Sequence, residues 1–296
     1  MKDASKKVMV NLSRRKTLSV GVALVSAKLV GLVGCGDDTS SSGTGGTGTG
    51  GAGGEGGSTS TDGWASGGTA VITGDYPEPF EGGIGTTCAL TCAATLGPCY
   101  AATVERKDIS EGYPGLPVRL ALLVVDDACK PVAGATVDIW HTSNRGLYSG
   151  DDSIEMCTTG DPDAVTHRFY RGVQTTDANG RVDFDTCFPG WYSGRTIHIH
   201  FTVRVGGQEY VTSQLFFPQS RIEEIFSTQP DYKGFGQPDT PNEADNIYVA
   251  ENELATERMS DGVMLAWKAV VLRSSLADAL CGGGGPPGGG PPGGGP

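Results

Sequence analysis

Residues 117–126 read Pro-Val-Arg-Leu-Ala-Leu-Leu-Val-Val-Asp, a near-continuous apolar run that ends in a turn. Residues 135–140, Ala-Thr-Val-Asp-Ile-Trp, alternate apolar and polar positions, and residues 196–203, Thr-Ile-His-Ile-His-Phe-Thr-Val, do so strictly. That is the period of a half-buried β-strand. Alternation sends Ile197, Ile199, Phe201 and Val203 to the core and places His198 and His200 together on the opposite face. Segments 169–176, 180–185, 209–217 and 263–273 read as further strands. The first two flank Asp177-Ala178-Asn179-Gly180, a hairpin signal in which Asn-Gly supplies the positive φ angles. Only 220–226 reads as helix, one or two turns long. Closely spaced turn signals and the lack of a long amphipathic helix predict an all-β fold, an antiparallel β-sandwich with Greek-key connections. Two long polar loops, 149–167 and 227–247, are where such a scaffold builds sites.

The ends of the chain read differently. In residues 1–34, Ser13-Arg14-Arg15-Lys16-Thr17-Leu18 resembles a twin-arginine export signal, and Leu32-Val33-Gly34-Cys35 resembles a lipobox with Cys35 as the acylated residue. The apolar run between them is broken by Lys28, glycines and serines, which makes it a poor membrane span. Residues 35–64 are Gly/Ser/Thr-rich and read as a disordered tether, and residues 282–296, only Gly and Pro without a Gly-X-Y period, as a flexible tail. Residues 65–281 remain as one domain. The whole chain carries 22 basic and 34 acidic residues. Removing residues 1–34 leaves 15 against 33, a formal net charge of −18. So acidic a body excludes nucleic acid as a partner and electrostatic docking to anionic lipid, leaving a lipid at Cys35 as the membrane attachment. The expected location is the extracytoplasmic side of a bacterial membrane.

With Cys35 set aside, Cys88, Cys92, Cys99, Cys129, Cys157, Cys187 and Cys281 remain. An exported chain keeps disulfides, so up to three bridges and one odd thiol are expected, with the connectivity open. A metal knot at Cys88, Cys92 and Cys99 is the weaker reading, because no paired Cys-x2-Cys half is present. Two imidazoles at i and i+2, His198 and His200, can chelate one metal ion or simply share a solvated face.

Longer motifs decide between those readings. Lys130-Pro-Val-Ala-Gly-Ala-Thr-Val-Asp-Ile-Trp-His141 and Gly146-Leu-Tyr-Ser149 resemble the signature of the intradiol ring-cleavage dioxygenases. The resemblance runs on through 167–174, Pro189-Gly-Trp-Tyr192, Gly194-Arg195, His198-Ile-His200 and Ser213-Gln-Leu-Phe-Phe217. It spans about 88–220 in family order and is nearest to the exported bacterial branch. It implies a prealbumin-like sandwich in which Tyr148, Tyr192, His198 and His200 hold one mononuclear Fe(III). Ferric iron is a hard cation that favours anionic oxygen and lowers a phenol's pKa from about 10, so tyrosinates suit it. The implied reaction takes a catechol-type aromatic and O2 to a cis,cis-muconate-type product. Tyr192 would double as a base, Arg195 would stabilise negative charge on the ring, and Gln214 would support the ligand sphere.

Trp140, His141 and His167 are read as structural, and Tyr113 as packing. Tyr100 and Tyr170 are packing residues that stand closest to lining a pocket. Two departures from the family bear on substrate. Only five residues separate Tyr192 from His198, which implies a more open pocket, and Leu96 and Cys99 stand where the family's Gly-Pro element usually has acidic and aromatic residues. No counterpart of the helical dimerisation domain of catechol dioxygenases is expected, so the oligomeric state is open. Two competing readings are a non-catalytic, lipid-anchored sandwich acting as a binding module, and a zinc protein using His198 and His200.

Overall fold

The computed structural model describes residues 63–84, 88–278 and 281. The segments read as an export signal and as a Gly/Pro tail, and almost all of the segment read as a tether, lie outside them. Trp64, assigned by composition to the end of the tether, is fully buried and donates from Nε1 to Glu224 at 2.8 Å. The folded body therefore includes that tryptophan. Among the described residues no helix is long and apolar enough to cross a membrane.

Among the described residues, eight strands form two four-stranded sheets. They are β1 (Pro117–Asp126), β2 (Thr136–Trp140), β3 (Arg171–Thr175), β4 (Arg181–Cys187), β5 (His198–Val205), β6 (Gln208–Phe216), β7 (Ala255–Arg258) and β8 (Met264–Leu272). One sheet has the order β4-β1-β8-β7 and the other β3-β2-β5-β6. Pairing is antiparallel except between β1 and β8, which run parallel. The continuous apolar run of β1 suits this central position, and the short, polar β7 closes the edge without a hydrophobic alternation to announce it. Leu120, Leu122, Val124 and Phe184 of the first sheet pack on Val137, Ile139, Ile199, Phe201 and Leu215 of the second.

The Asn-Gly turn is not a hairpin within one sheet. Asp177 Oδ1 accepts from Asn179 N and Arg181 N at 2.8 and 2.9 Å and makes the tight turn. Val124 N then bonds Gly180 O at 2.7 Å and draws β4 onto β1, so β3 and β4 fall in different sheets. Local turn chemistry formed the bend, and pairing beyond it chose the partner.

The long loops are partly helical: α1 (Glu155–Thr158) and α2 (Pro162–Thr166) in the first, α4 (Pro230–Lys233) in the second. Between β6 and α4, α3 (Gln219–Thr228) extends beyond the expected helix and buries Ile222, Ile225 and Phe226, spaced for one face.

The largest departure from expectation is at β5. Its first six residues are all buried, so the histidine face is covered, not solvated. The cover is a strap, residues 92–109, that crosses the outer face of the β3-β2-β5-β6 sheet. At the β6 edge Ala94 N bonds Thr212 O at 2.9 Å, and at the β3 edge Val173 N bonds Val104 O at 2.9 Å. Between them Tyr100 donates to Asp138 of β2 at 3.0 Å, and Arg171 Nη2 of β3 donates to Cys99 O at 2.8 Å. Three disulfides, Cys88–Cys129, Cys92–Cys281 and Cys99–Cys157, tie the strap and the chain leading into it to the body, while Cys187 is a buried free thiol. The three clustered cysteines thus go to three different partners, which removes the metal-knot reading.

Candidate active site

The site lies under this strap, on the outer face of the second sheet, and is built by two loops and two strands. The loop after β2 brings Tyr148 and the loop between β4 and β5 brings Tyr192. The two loops are laced backbone to backbone: Gly190 N donates to Ser143 O at 2.9 Å, and Thr142 Oγ1 donates to Gly190 O at 2.7 Å. Gly146, in the left-handed region at φ +75°, lets them touch, since a Cβ there would stand 2.0 Å from Trp191 O. The consequence is that both phenols meet at one point. Tyr148 Oη and Tyr192 Oη are each 3.2 Å from His198 Nε2.

His198 Nδ1 is 2.7 Å from the carbonyl of Thr196. A carbonyl only accepts, so Nδ1 carries the proton and the Nε2 lone pair faces the phenols. His200 is the next residue on that face, 4.9 Å away between ring centroids. Burial, reinforced by the Arg195 charge, depresses His198 to about 3, and burial with the neighbouring His198 holds His200 well below the usual imidazole value. Both rings are neutral donors. Desolvation, with Tyr192 adding to it, raises the Tyr148 phenol well above 10, while Arg195 and Arg171 act against that rise. Such a phenol ionises only when a cation beside it stabilises the phenolate left behind.

Arg195 lies at the rim of this group. Its Nε donates to Asp245 Oδ2 at 2.8 Å and its Nη2 donates to Gln214 Oε1. Asp245 Oδ2 also accepts from Thr196 N at 2.9 Å. Against the desolvation that would raise it, N–H donation from Ile247 and Thr196 and the Arg195 charge hold the Asp245 carboxyl below its ordinary range. Gln214, fully buried on β6, is the register partner of His200 and donates to Thr95 O of the strap at 3.5 Å.

All six residues singled out in the sequence, Tyr148, Tyr192, Arg195, His198, His200 and Gln214, therefore come together. The readings of the other aromatics divide. His141 is buried with Nδ1 at 2.8 Å from Thr142 O and Nε2 at 2.7 Å from Thr186 Oγ1, a satisfied structural histidine. His167 is on the surface beside Asp163, and Tyr170 is in the main core, away from the site. Tyr100 lies in the strap beside the site, its ring edge-on to Trp140 with centroids 4.9 Å apart. Trp140 is the exception among the structural assignments: it faces outward from the main core and stacks on His200. The sequence pattern also missed Asp245, a single acid in a long acidic loop, and Arg171, buried on β3. Nothing local distinguishes either from a surface charge.

A family model described as Dioxygenase (Dioxygenase_C) matches residues 95–227. An intradiol ring-cleavage dioxygenase from Tetranychus urticae superposes with a TM-score of 0.57 at 30% identity, covering 65% of this chain and 98% of that one. The chain belongs to the intradiol ring-cleavage dioxygenase family. Among curated family members, a chlorocatechol 1,2-dioxygenase from Pseudomonas putida is 30% identical over 120 residues, 34% of this chain and 42% of its own length. The catechol 1,2-dioxygenase 1 of Acinetobacter lwoffii is 28% identical over 165 residues, 47% of this chain and 48% of its own length. The chain thus spans about half the length of the curated relatives it matches. The family segment 95–227 contains all six site residues and most of the strap; Asp245 lies beyond it.

The donor set fits a ferric ion. Two phenol oxygens and a neutral imidazole nitrogen already converge, and the His200 ring lies beside them, 4.9 Å from that of His198 between centroids. Hard phenolate oxygens, which Tyr148 and Tyr192 would present on deprotonation, suit Fe(III).

Proposed function

We propose that this chain is a non-haem Fe(III)-dependent intradiol dioxygenase that inserts both atoms of O2 into a catechol-type aromatic and releases a cis,cis-muconate-type product. The observation that carries this reading is the meeting of the Tyr148 and Tyr192 hydroxyls on one imidazole nitrogen, each at 3.2 Å. Tyr148, Tyr192, His198 and His200 would hold the iron. Bound there, Fe(III) supplies a hard Lewis acid that stabilises phenolates and a catechol dianion and opens the ring carbons to O2.

The side chains divide the remaining work. Tyr148 is buried and held from behind by Tyr148 N bonding Cys157 O at 3.0 Å, so it is the fixed ligand. Tyr192 is half-buried on an exposed loop, and its phenolate would be placed to take a proton from an entering catechol hydroxyl, becoming a neutral phenol. Arg195, pinned between Asp245 and Gln214, offers a preorganised positive charge to the anionic ring. The strap keeps water from the His200 side. Catechol and O2 together contain every atom of a muconic acid, so no further co-substrate is required.

Purified protein loaded with ferric iron should be red-brown from tyrosinate-to-iron charge transfer, and Tyr148→Phe should lose that band. It should consume one O2 per catechol with the ultraviolet spectrum of a muconate appearing. A colourless protein that takes up no O2 with catechol after ferric reconstitution overturns the reading.

The same proposal places the protein on the extracytoplasmic side of a bacterial membrane, exported by the twin-arginine route and lipid-anchored at Cys35. The signal-like sequence motifs support this, as do three disulfides, which persist in oxidising compartments. Cys35→Ala should move the protein from the membrane to the soluble fraction; retention in the membrane argues against the anchor.

A further inference from the structure

We propose that Trp140 is a positioning residue for the site, fixing the plane of the His200 imidazole by stacking where a hydrogen bond would ordinarily do so. The inference rests on the reading of His198 and His200 as metal ligands. A ligand histidine normally presents its second ring nitrogen to a carbonyl, carboxylate or water, which sets its tautomer and its orientation. His198 follows that rule through Thr196 O at 2.7 Å. His200 does not: its Nδ1 is buried and has no hydrogen-bond partner among the described residues.

Packing takes over the task. Trp140 of β2 is the register partner of His200 of β5, so the two side chains stand side by side on the outer face of the sheet. Their ring planes are nearly parallel, 9° apart, and stacked with centroids 5.0 Å apart. From the strap, Gly97 approaches the same imidazole, and a Cβ there would lie 3.0 Å from His200 Cε1. The imidazole therefore sits in a slot between an indole face and a strap backbone that only a residue without a side chain can bring so close. Gly97 has φ +77°, so the strap geometry and the approach both require glycine. Trp140 is itself held, edge-on, by Tyr100, whose hydroxyl is tied to Asp138. Strap, tryptophan and histidine form one packed stack, and rotation of the His200 ring about χ2 would drive it into either wall.

The experiment compares Trp140→Leu, Trp140→Phe and Gly97→Ala with the wild-type protein in two readouts. The first is ferric iron affinity, measured against a competing chelator and followed by the visible band. Loss of a supporting contact to a ligand histidine costs ~10–100-fold in metal affinity. Trp140→Leu should show a loss of that size, Trp140→Phe should keep most of the affinity because an aromatic face remains, and Gly97→Ala should lose affinity with the indole intact. The second readout needs no metal. In histidine-labelled apoprotein, the His200 ring protons should carry an upfield ring-current shift that Trp140→Leu abolishes.

Wild-type iron affinity in a folded Trp140→Leu protein overturns the inference and leaves the metal reading standing. Should the leucine variant fail to fold, unchanged affinity in Gly97→Ala overturns it equally. A wild-type protein that binds no ferric iron overturns the metal reading and with it the role assigned to Trp140. The apoprotein spectrum reports in every case whether the stack exists.

Discussion

Gly146→Ala tests how the two tyrosine loops are joined. Gly146 lies two residues before Tyr148, and its hypothetical Cβ is 2.0 Å from Trp191 O and 2.9 Å from Trp191 C, the residue before Tyr192. Restoring ordinary van der Waals separation requires the loops to part by about 1.5 Å. Neither neighbour is the end of a flexible side chain; both are backbone, pinned by the Ser143, Thr142 and Gly190 hydrogen bonds. At φ +75° the new residue also occupies the left-handed region, which costs ~1–2 kcal/mol, and overpacking adds about 1–3 kcal/mol. Gly146→Ala should therefore lose roughly 2–5 kcal/mol of unfolding free energy in a urea titration. Function should suffer more than stability, because a displacement of about 1 Å at reacting groups costs on the order of 100-fold. The assays are urea unfolding, the visible band of the ferric protein and oxygen uptake with catechol. An alanine variant within about 1 kcal/mol of wild type that keeps its band and turnover would refute the close contact and the joint placement of the two phenols drawn from it.

Asp245→Asn preserves shape and removes the charge facing Arg195; it should cost about 1.5–3 kcal/mol of stability and lower catechol turnover, read by oxygen uptake, and wild-type turnover would dismiss Asp245 as the orienter. Replacing Cys99 and Cys157 by alanine opens a closure of 58 residues, about 4 kcal/mol in the chain-entropy account, and should weaken the ferric band because Tyr148 N bonds Cys157 O; an unchanged band in that double variant would contradict the link. His141 gives a pH prediction. Burial depresses it to about 3 from 6.5, so the folded state keeps it neutral while the unfolded chain takes up a proton below 6.5. Its contribution to stability is full above pH 6.5 and is lost as pH falls towards 3, at about 1.4 kcal/mol per pH unit. Urea titrations at pH 7 and pH 5 should differ accordingly, and His141→Gln should flatten the acid limb by one proton; an equally steep limb in that variant would exclude His141 as the source.

Period-2 alternation and turn chemistry determined the strands, because those signals are written in adjacent residues. Seven of the eight strands lie where the pattern placed them, and the eighth, β7, is a short polar edge with no alternation to read. The candidate donors were legible because Tyr148, Tyr192, His198 and His200 sit in compact motifs that resemble the family signature; by their spacing alone only His198 and His200 suggested a chelate. The sequence alone could not assign sheet membership across the Asn179-Gly180 turn, since Val124 N, 56 positions earlier, draws β4 onto the other sheet. Nor could it show that the histidine face is covered. The cover is a strap fixed by disulfides and edge pairing with sequence separations up to 189, and no local pattern records such partners. Asp245 and Trp140 changed meaning on the same ground. As letters they are a loop acid and a strand aromatic; only folding brings one carboxylate onto Arg195 and one indole onto His200. A side chain's chemical type is local, but its role depends on what the folded chain sets within a few ångströms of it.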